Sequence, residues 1–195
     1  ADAVNVTDGA SAKSHLSSLV VSSILANNNI EPILQLTTRD RNRIALQSDL
    51  LGAWVLNIKT ILSIYGDQVN SGDQPEAKEV RDLDSIGIIQ TAHQFKTRKT
   101  FPSGRKILSA PEYFIGAADA PIAIDKNFDC KNLLKKIDAG TNFFQTQFAF
   151  DIEVLKQYMK AIRDFGVTEK AYYIVGLGPL SSAKSARWMD ENLFG

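Results

Sequence analysis

The chain has 195 residues, and its 22 lysines and arginines balance 22 aspartates and glutamates. A formal net charge of zero gives no electrostatic drive toward nucleic acid or an anionic membrane. The 44% hydrophobic, 23% charged composition is ordinary for a globular protein, and one domain is expected over residues 1–195. The lone cysteine, Cys130, rules out an internal disulfide and, with only two histidines, argues against a structural zinc or any other metal site. It fits a reducing, cytoplasmic setting. The longest apolar run is far short of the roughly 20 residues that span a bilayer.

Two kinds of segment alternate along the chain. Short, β-branched, mostly apolar runs occur at Ala3–Thr7, Pro32–Thr37, Thr60–Tyr65, Tyr113–Ala118, Asn142–Gln147 and Ala171–Val175, the form of buried parallel strands. Between them lie stretches with helical spacing. Leu16, Leu19, Val20 and Ile24 form one predicted core stripe, and Ile44, Leu51, Trp54 and Val55 a second. Asp82 and Ser85 stand where a helix over Ile86–Gln94 would be capped. Leu133, Leu134 and Ile137 mark a shorter helix stopped by Gly140, and Leu155, Tyr158, Met159 and Ile162 a third long stripe. Strand starts fall about 29, 28, 53, 29 and 29 residues apart, and one βα unit takes roughly 30. The long gap holds two extra loops, near 68–81 and 98–111. Six βα units fit a (β/α)8 TIM barrel, which needs about 250 residues, and the chain reads as incomplete at both ends. The rival is a doubly wound open sheet. It usually carries a glycine-rich phosphate turn after its first strand, and Thr7-Asp8-Gly9-Ala10-Ser11 is not one.

In a barrel, chemistry gathers at the C-terminal strand ends. Here these read Thr7-Asp8-Gly9, Gln35 to Asp40, Tyr65-Gly66-Asp67-Gln68, Gly116 to Asp119, Gln145-Thr146-Gln147 and Gly176 to Leu180. Asp67 is a loop cap or a fixed negative charge at the mouth. Gln147 is a satisfied loop amide or a partner for a heterocycle edge, since an amide both donates and accepts. Lys135 and Lys136 form a solvated helix face or reach a phosphate. The cluster Arg39-Asp40-Arg41-Asn42-Arg43 is a capped, paired helix start or a conduit for an anion. His15 and His93 are isolated, and Gly176-x-Gly178-Pro179 is explained by a tight turn. A hydrolase triad, a Walker loop and HExxH are all absent from the sequence. Lys59 precedes a strand, the wrong end for a Schiff-base lysine. A cofactor-dependent redox barrel fits this inventory best.

At its strand ends the sequence resembles the methylenetetrahydrofolate reductase family, in its prokaryotic single-domain form. The resemblance is carried in order by Val4-Asn5-Val6-Thr7-Asp8, by Leu36 to Arg43, by Leu46 to Ala53, by Tyr65-Gly66-Asp67 and by Asp82 to Ser85. It continues through Phe114 to Ala118, Lys136 to Gly140, Phe144 to Asp151 and Gly176 to Leu180. It implies a (β/α)8 barrel that binds FAD, takes electrons from NADH, NADPH or a partner protein, and reduces a folate substrate in one-carbon metabolism and methionine biosynthesis. It implies Asp67 as the catalytic carboxylate near flavin and folate, and Gln147 as the group that recognises the pterin. Thr7, Gln35, Tyr65, Gly66 and Ala117 would line the flavin pocket, with Asp129, Asn132, Lys135 and Lys136 along the ribityl and diphosphate chain. A homo-oligomer is expected.

The sequence departs from the family at Gln35, where many members carry histidine, and at Asp119-Ala120-Pro121, which replaces a Pro-Glu-x-His stretch. The family's general-acid glutamate would lie on a strand before Ala1. Two other readings stay open: a flavin-binding, non-catalytic or electron-transfer subunit of a one-carbon or corrinoid complex, and an unrelated barrel lyase that binds no flavin.

Overall fold

The computed structural model describes residues 1–192. In chain order, β1 (Val4–Val6), α1 (Ser18–Asn27), β2 (Pro32–Thr37), α2 (Arg43–Val55), β3 (Thr60–Ile64) and α3 (Ser85–Arg98) are followed by β4 (Phe114–Asp119), α4 (Lys131–Ala139), β5 (Phe143–Phe148), α5 (Ile152–Asp164), β6 (Tyr172–Gly176) and α6 (Ala183–Asn192). Every strand is followed by a helix. This is the (β/α) alternation of a partial barrel, and each of the six expected strands is present within two residues of its predicted ends. No helix among the described residues is long and apolar enough to cross a membrane.

The chain packs as two compact units. The first holds residues 1–117 with 139–141, the second 118–138 with 142–195. In the first, β1, β2, β3 and β4 pair in sequence order and all in parallel, with Gln35 opposite Leu62 and Leu62 opposite Gly116. A doubly wound sheet would break that order at a switch point. The core of this unit includes Leu34, Leu36, Ile61 and Ile115, which the strand register places on one sheet face, and Leu50 and Ile88 of α2 and α3, all fully buried. In the second unit β5 and β6 are parallel, and Leu155, Tyr158 and Ile162 of α5 are buried, as are Phe143 and Phe144 of β5.

Two predicted stripes are corrected. On α1 the buried residues are Ser18 and Ser22, while Val20 and Ile24, and Leu16 just before the helix, are exposed. Small side chains let this helix lie close on β2, where the Ser18 hydroxyl donates to the Gln35 carbonyl (3.3 Å). On α2 the buried face is Leu46, Leu50 and Ala53, and Ile44 and Val55 point outward at 72% and 84% exposure. Both helices carry apolar residues on more than one face, so periodicity alone left the phase undetermined. The α5 stripe is as expected. The α3 cap also differs. Asp84 accepts the Gly87 N–H (2.7 Å), and Asp82 is drawn away to Arg43 (2.8 Å). Gly140 ends α4 as predicted, at φ +119, with the His93 ring so close that a Cβ would collide with it.

Candidate active site

At the C-terminal strand ends of the first unit, charge is satisfied internally. Asn42 caps α2 through Ile44 and Ala45 (3.1 and 3.0 Å). The arginines around it are all engaged. Arg39, 4% exposed, pairs with Asp40 (2.7 Å). Arg41 pairs with Asp8 and with Asp49 (2.8 Å), and Arg43 pairs with Asp82 (2.8 Å). The capped, paired helix start is therefore the reading the structure supports for this cluster. Asp8 also accepts the Thr37 N–H (2.8 Å), which ties β1 to the end of β2. The Arg43 guanidinium holds the Asp82 carboxyl down at about 2.

Asp67 follows Gly66, whose φ of +82 makes the turn after β3. Its carboxylate is exposed and accepts the Ser11 N–H (2.9 Å) from the β1–α1 loop. Its carbonyl accepts from Arg39 and from Arg81, each at 3.3 Å. Tyr65 is 54% exposed, with the Arg81 guanidinium 3.9 Å from its ring centre. Thr7 is exposed just after β1. Gln35 is buried and donates to Asn5 (3.2 Å), and Ala117 is buried in β4. Sequence reasoning gave Arg81 no role. It sits in a loop without periodicity, and no spacing rule connects it to Asp67.

In the second unit a cavity of about 390 Å³ opens among the ends of β4 and β5, the start of α4 and the inner face of α5. Of the residues the family resemblance selected, Asp129, Asn132, Lys136 and Gln147 all line it. Lys135 does not. It is exposed on the next position of α4, and the helical turn sends the two ammonium groups different ways. The Lys136 ammonium donates to the Ala118 carbonyl (2.7 Å), and burial pulls its pKa down, partly opposed by the charge of Asp119. Asp129 is bound to Lys131 (2.7 Å), which lowers its pKa.

Asp119 is the principal residue missed in this cavity. Burial raises its pKa, against hydrogen bonds from Tyr158 and the Ala120 N–H and the charge of Lys136. The Tyr158 hydroxyl lies 2.9 Å from both carboxylate oxygens, and the buried Tyr173 hydroxyl interacts with the same carboxylate and lowers its pKa, without the geometry of a full hydrogen bond. Helical spacing marks Tyr158 as core, and it is buried. Its polar tip becomes legible only once α5 is docked.

Gln147 is aimed by a register shift in β5 between Gln145 and Phe148. Such a bulge turns a strand-end side chain out of the ladder. Gly176 opposite makes this possible: a Cβ there would sit 2.8 Å from the Thr146 carbonyl oxygen and 2.9 Å from that of Gln147. Its N–H donates to the Thr146 hydroxyl (2.9 Å). A close approach of two backbones thus accounts for a glycine that a simple turn had explained. A second, more apolar cavity of about 340 Å³ lies beside Pro121, Ile122, Phe150 and Val154. Among the described residues no cluster of His, Cys, Asp and Glu is placed to hold a metal.

Comparison with known proteins gives a consistent result. A family model described as methylenetetrahydrofolate reductase matches residues 1–192. A Salmonella typhimurium 5,10-methylenetetrahydrofolate reductase is 26% identical over 185 residues, covering 94% of this chain and 56% of that protein. A Pectobacterium carotovorum protein of the same name is 25% identical over 182 residues, covering 93% and 55%. A Caenorhabditis elegans protein described as a probable methylenetetrahydrofolate reductase (NADPH) is 24% identical over 171 residues, covering 88% of the chain and 24% of the relative. The chain therefore spans just over half the length of the bacterial relatives and about a quarter of the nematode one.

Proposed function

Because this chain belongs to the methylenetetrahydrofolate reductase family, we propose that it carries the catalytic barrel of an enzyme that reduces 5,10-methylenetetrahydrofolate to 5-methyltetrahydrofolate. FAD is the resident cofactor in this reading, NADH or NADPH is the electron donor, and the setting is cytoplasmic one-carbon metabolism that feeds methionine synthesis. The observation that carries the reading is the second-unit cavity. Four residues selected by resemblance, Asp129, Asn132, Lys136 and Gln147, line one space.

The cavity suits part of such a cofactor. Lys136 is a half-buried cation bound to a carbonyl rather than to a carboxylate, and an entering phosphate would offset the burial that disfavours its charge. Asn132 offers donors and an acceptor to a hydroxylated chain. Within the first unit, Thr7, Gln35, Tyr65, Gly66 and Ala117 are assigned to the flavin ring. When bound, FAD supplies the hydride that reduces the methylene carbon.

The chain's own groups bind and polarise. Gln147, held out of the β5 ladder, presents an amide that can pair with both a donor and an acceptor of a pterin edge. Asp67 provides a fixed negative charge that stabilises the cationic iminium formed when the folate ring opens. Its Ser11 N–H bond and the two arginines on its carbonyl set its position before substrate arrives. Preorganisation of this kind avoids reorganisation cost at the moment of reaction.

The test is an absorbance spectrum of the purified full-length protein, followed by anaerobic addition of methylenetetrahydrofolate after reduction. Flavin bands that return on folate addition support the reductase. Flavin that stays reduced would replace this reading with an electron-transfer subunit, and a folded protein that binds no FAD would remove flavin chemistry altogether.

A further inference from the structure

The loop between β3 and α3 returns to the strand end it left and fastens there. Arg81, near its end, donates to three successive carbonyls: Tyr65 (2.9 Å), Gly66 (3.3 Å) and Asp67 (3.3 Å). Its guanidinium also covers one face of the Tyr65 ring at 3.9 Å. The side chain is only 14% exposed. Glu79 completes it: one oxygen pairs with the Arg81 Nε, and the other accepts from Arg81 Nη2 (3.0 Å) and from the Val69 N–H (3.0 Å). The Val80 N–H donates to the Arg39 carbonyl (2.7 Å). Arg81 reaches this position with φ +39, in the left-handed region that a non-glycine residue adopts only when its surroundings demand it.

The same loop supports the residue that touches the Asp67 carboxylate. Ser11 and Ala12 have φ of +56 and +52. This loop lies so close on Gly72 that a Cβ there would run into the Ala12 carbonyl. Ser11 donates its N–H to Asp67 from this strained loop. Arg39 closes the arrangement by donating to the carbonyls of Gly9 and Asp67, both at 3.3 Å.

We propose that Arg81 is a positioning residue for the Tyr65–Gly66–Asp67 turn: it clasps the 68–81 loop onto that turn, and so fixes both the Asp67 carboxylate and the exposed Tyr65 ring. The inference rests on the role assigned above to Asp67. A planar guanidinium suits the task because its donors form a rigid fork that can satisfy several carbonyls at once, which a lysine cannot do. Removing it leaves Asp67 its neighbours but loosens its main chain, and a small displacement of a reacting group is costly in rate.

The experiment uses the full-length protein loaded with FAD and compares the wild type with Arg81→Ala and Arg81→Lys. Flavin reduction by the nicotinamide and its reoxidation by methylenetetrahydrofolate are timed separately. Amide exchange is followed in peptides covering residues 9–12 and 65–72 of the cofactor-free protein. Arg81→Ala is expected to slow reoxidation by roughly 10- to 100-fold and to leave reduction within about threefold. Arg81→Lys should fall between, and added methylguanidine should restore part of the alanine variant's loss. Exchange should quicken in both peptides, although residues 9–12 lie some 70 positions away in sequence. Equal slowing of both half-reactions, or faster exchange confined to residues 79–84, would overturn the proposal. A wild-type flavin that folate fails to reoxidise would instead sink the reductase reading, and Asp67's role with it, whatever the exchange data give.

Discussion

The two units handle their polar strand ends in opposite ways. In the first, carboxylates and guanidiniums face one another: Asp8 with Arg41, Asp40 with Arg39, Glu79 with Arg81, Asp82 with Arg43. In the second, Asp119, Lys136 and Gln147 face open space, and burial is the largest influence on the first two. Ion pairs near a surface add little stability individually, but a closed network fixes geometry. A half-desolvated cavity wall is poised for a ligand that completes it. The first unit therefore holds a preset group, and the second offers a receptacle.

The largest expected effect follows from that division. Asp67→Asn keeps the shape of the turn and the Ser11 contact but removes the negative charge. It should slow the folate half-reaction by about 100-fold, the usual order for losing one aimed electrostatic group, and barely change flavin reduction by a nicotinamide. Stopped-flow measurement of both steps checks it, and equal losses would assign Asp67 to the scaffold. Next comes Lys136→Ala, which empties the receptacle of its cation. FAD affinity should drop about tenfold or more while riboflavin, which lacks phosphate, is little affected. A parallel loss for both ligands in a fluorescence titration would mean that Lys136 supports the Ala118 carbonyl and nothing else.

How much of this was legible in the sequence differs in the same way between the units. Period was enough for all six strands, because that signal is local; strand-end polarity and helix position offered Asp67, Gln147 and Lys136 only as candidates with two readings each, and the family resemblance chose between them. The faces of α1 and α2 were not legible, since exposed Val20 and Ile44 are as apolar as the residues that are buried. Asp82 was misread as a cap because its partner, Arg43, lies 39 positions away. Arg81 and Asp119 escaped for a related reason. Each acts through contacts made by elements distant in sequence, with carbonyls in one case and with the tip of an apparently apolar tyrosine in the other.

Acid should separate the units further. Glu79, held at about 2 by Arg81 and the Val69 N–H, and Asp82, also at about 2, are depressed below their ordinary 4.5 and 3.8. The stability they contribute is present above those ordinary values and lost as pH falls toward about 2. Asp119 runs the other way. Its folded-state pKa is raised above 3.8, so the native state keeps a proton that the unfolded chain gives up, and stability declines as pH rises from 3.8 through the raised value. In urea midpoints measured across this range, Asp119→Asn should abolish the decline, and Glu79→Gln with Asp82→Asn should flatten the acid loss. A wild type whose midpoint is independent of pH between 4 and 7 would contradict the desolvated Asp119.

The smallest effect tests whether the second unit is a receptacle at all or another closed network. Tyr158 donates to Asp119, whereas the buried Tyr173 hydroxyl, its ring 5.2 Å from that of Phe144, interacts with that carboxylate only short of full hydrogen-bond geometry. A hydroxyl whose contact with the carboxylate falls short of a hydrogen bond can be removed at little cost. Removing it together with its burial penalty is neutral or slightly stabilising, whereas breaking a satisfied buried bond costs about 1–3 kcal/mol. Tyr173→Phe should therefore shift unfolding stability by less than about 1 kcal/mol, keep the ring contact, and leave the pH dependence assigned to Asp119 in place. A larger loss, or a change in that pH dependence, would mean that Tyr173 already donates to the carboxylate. Asp119 would then hold a third hydrogen bond besides those from Tyr158 and the Ala120 N–H, a closed set like that around Asp8 in the first unit, and the contrast between a preset group and a waiting cavity would rest on Lys136 and Gln147 alone.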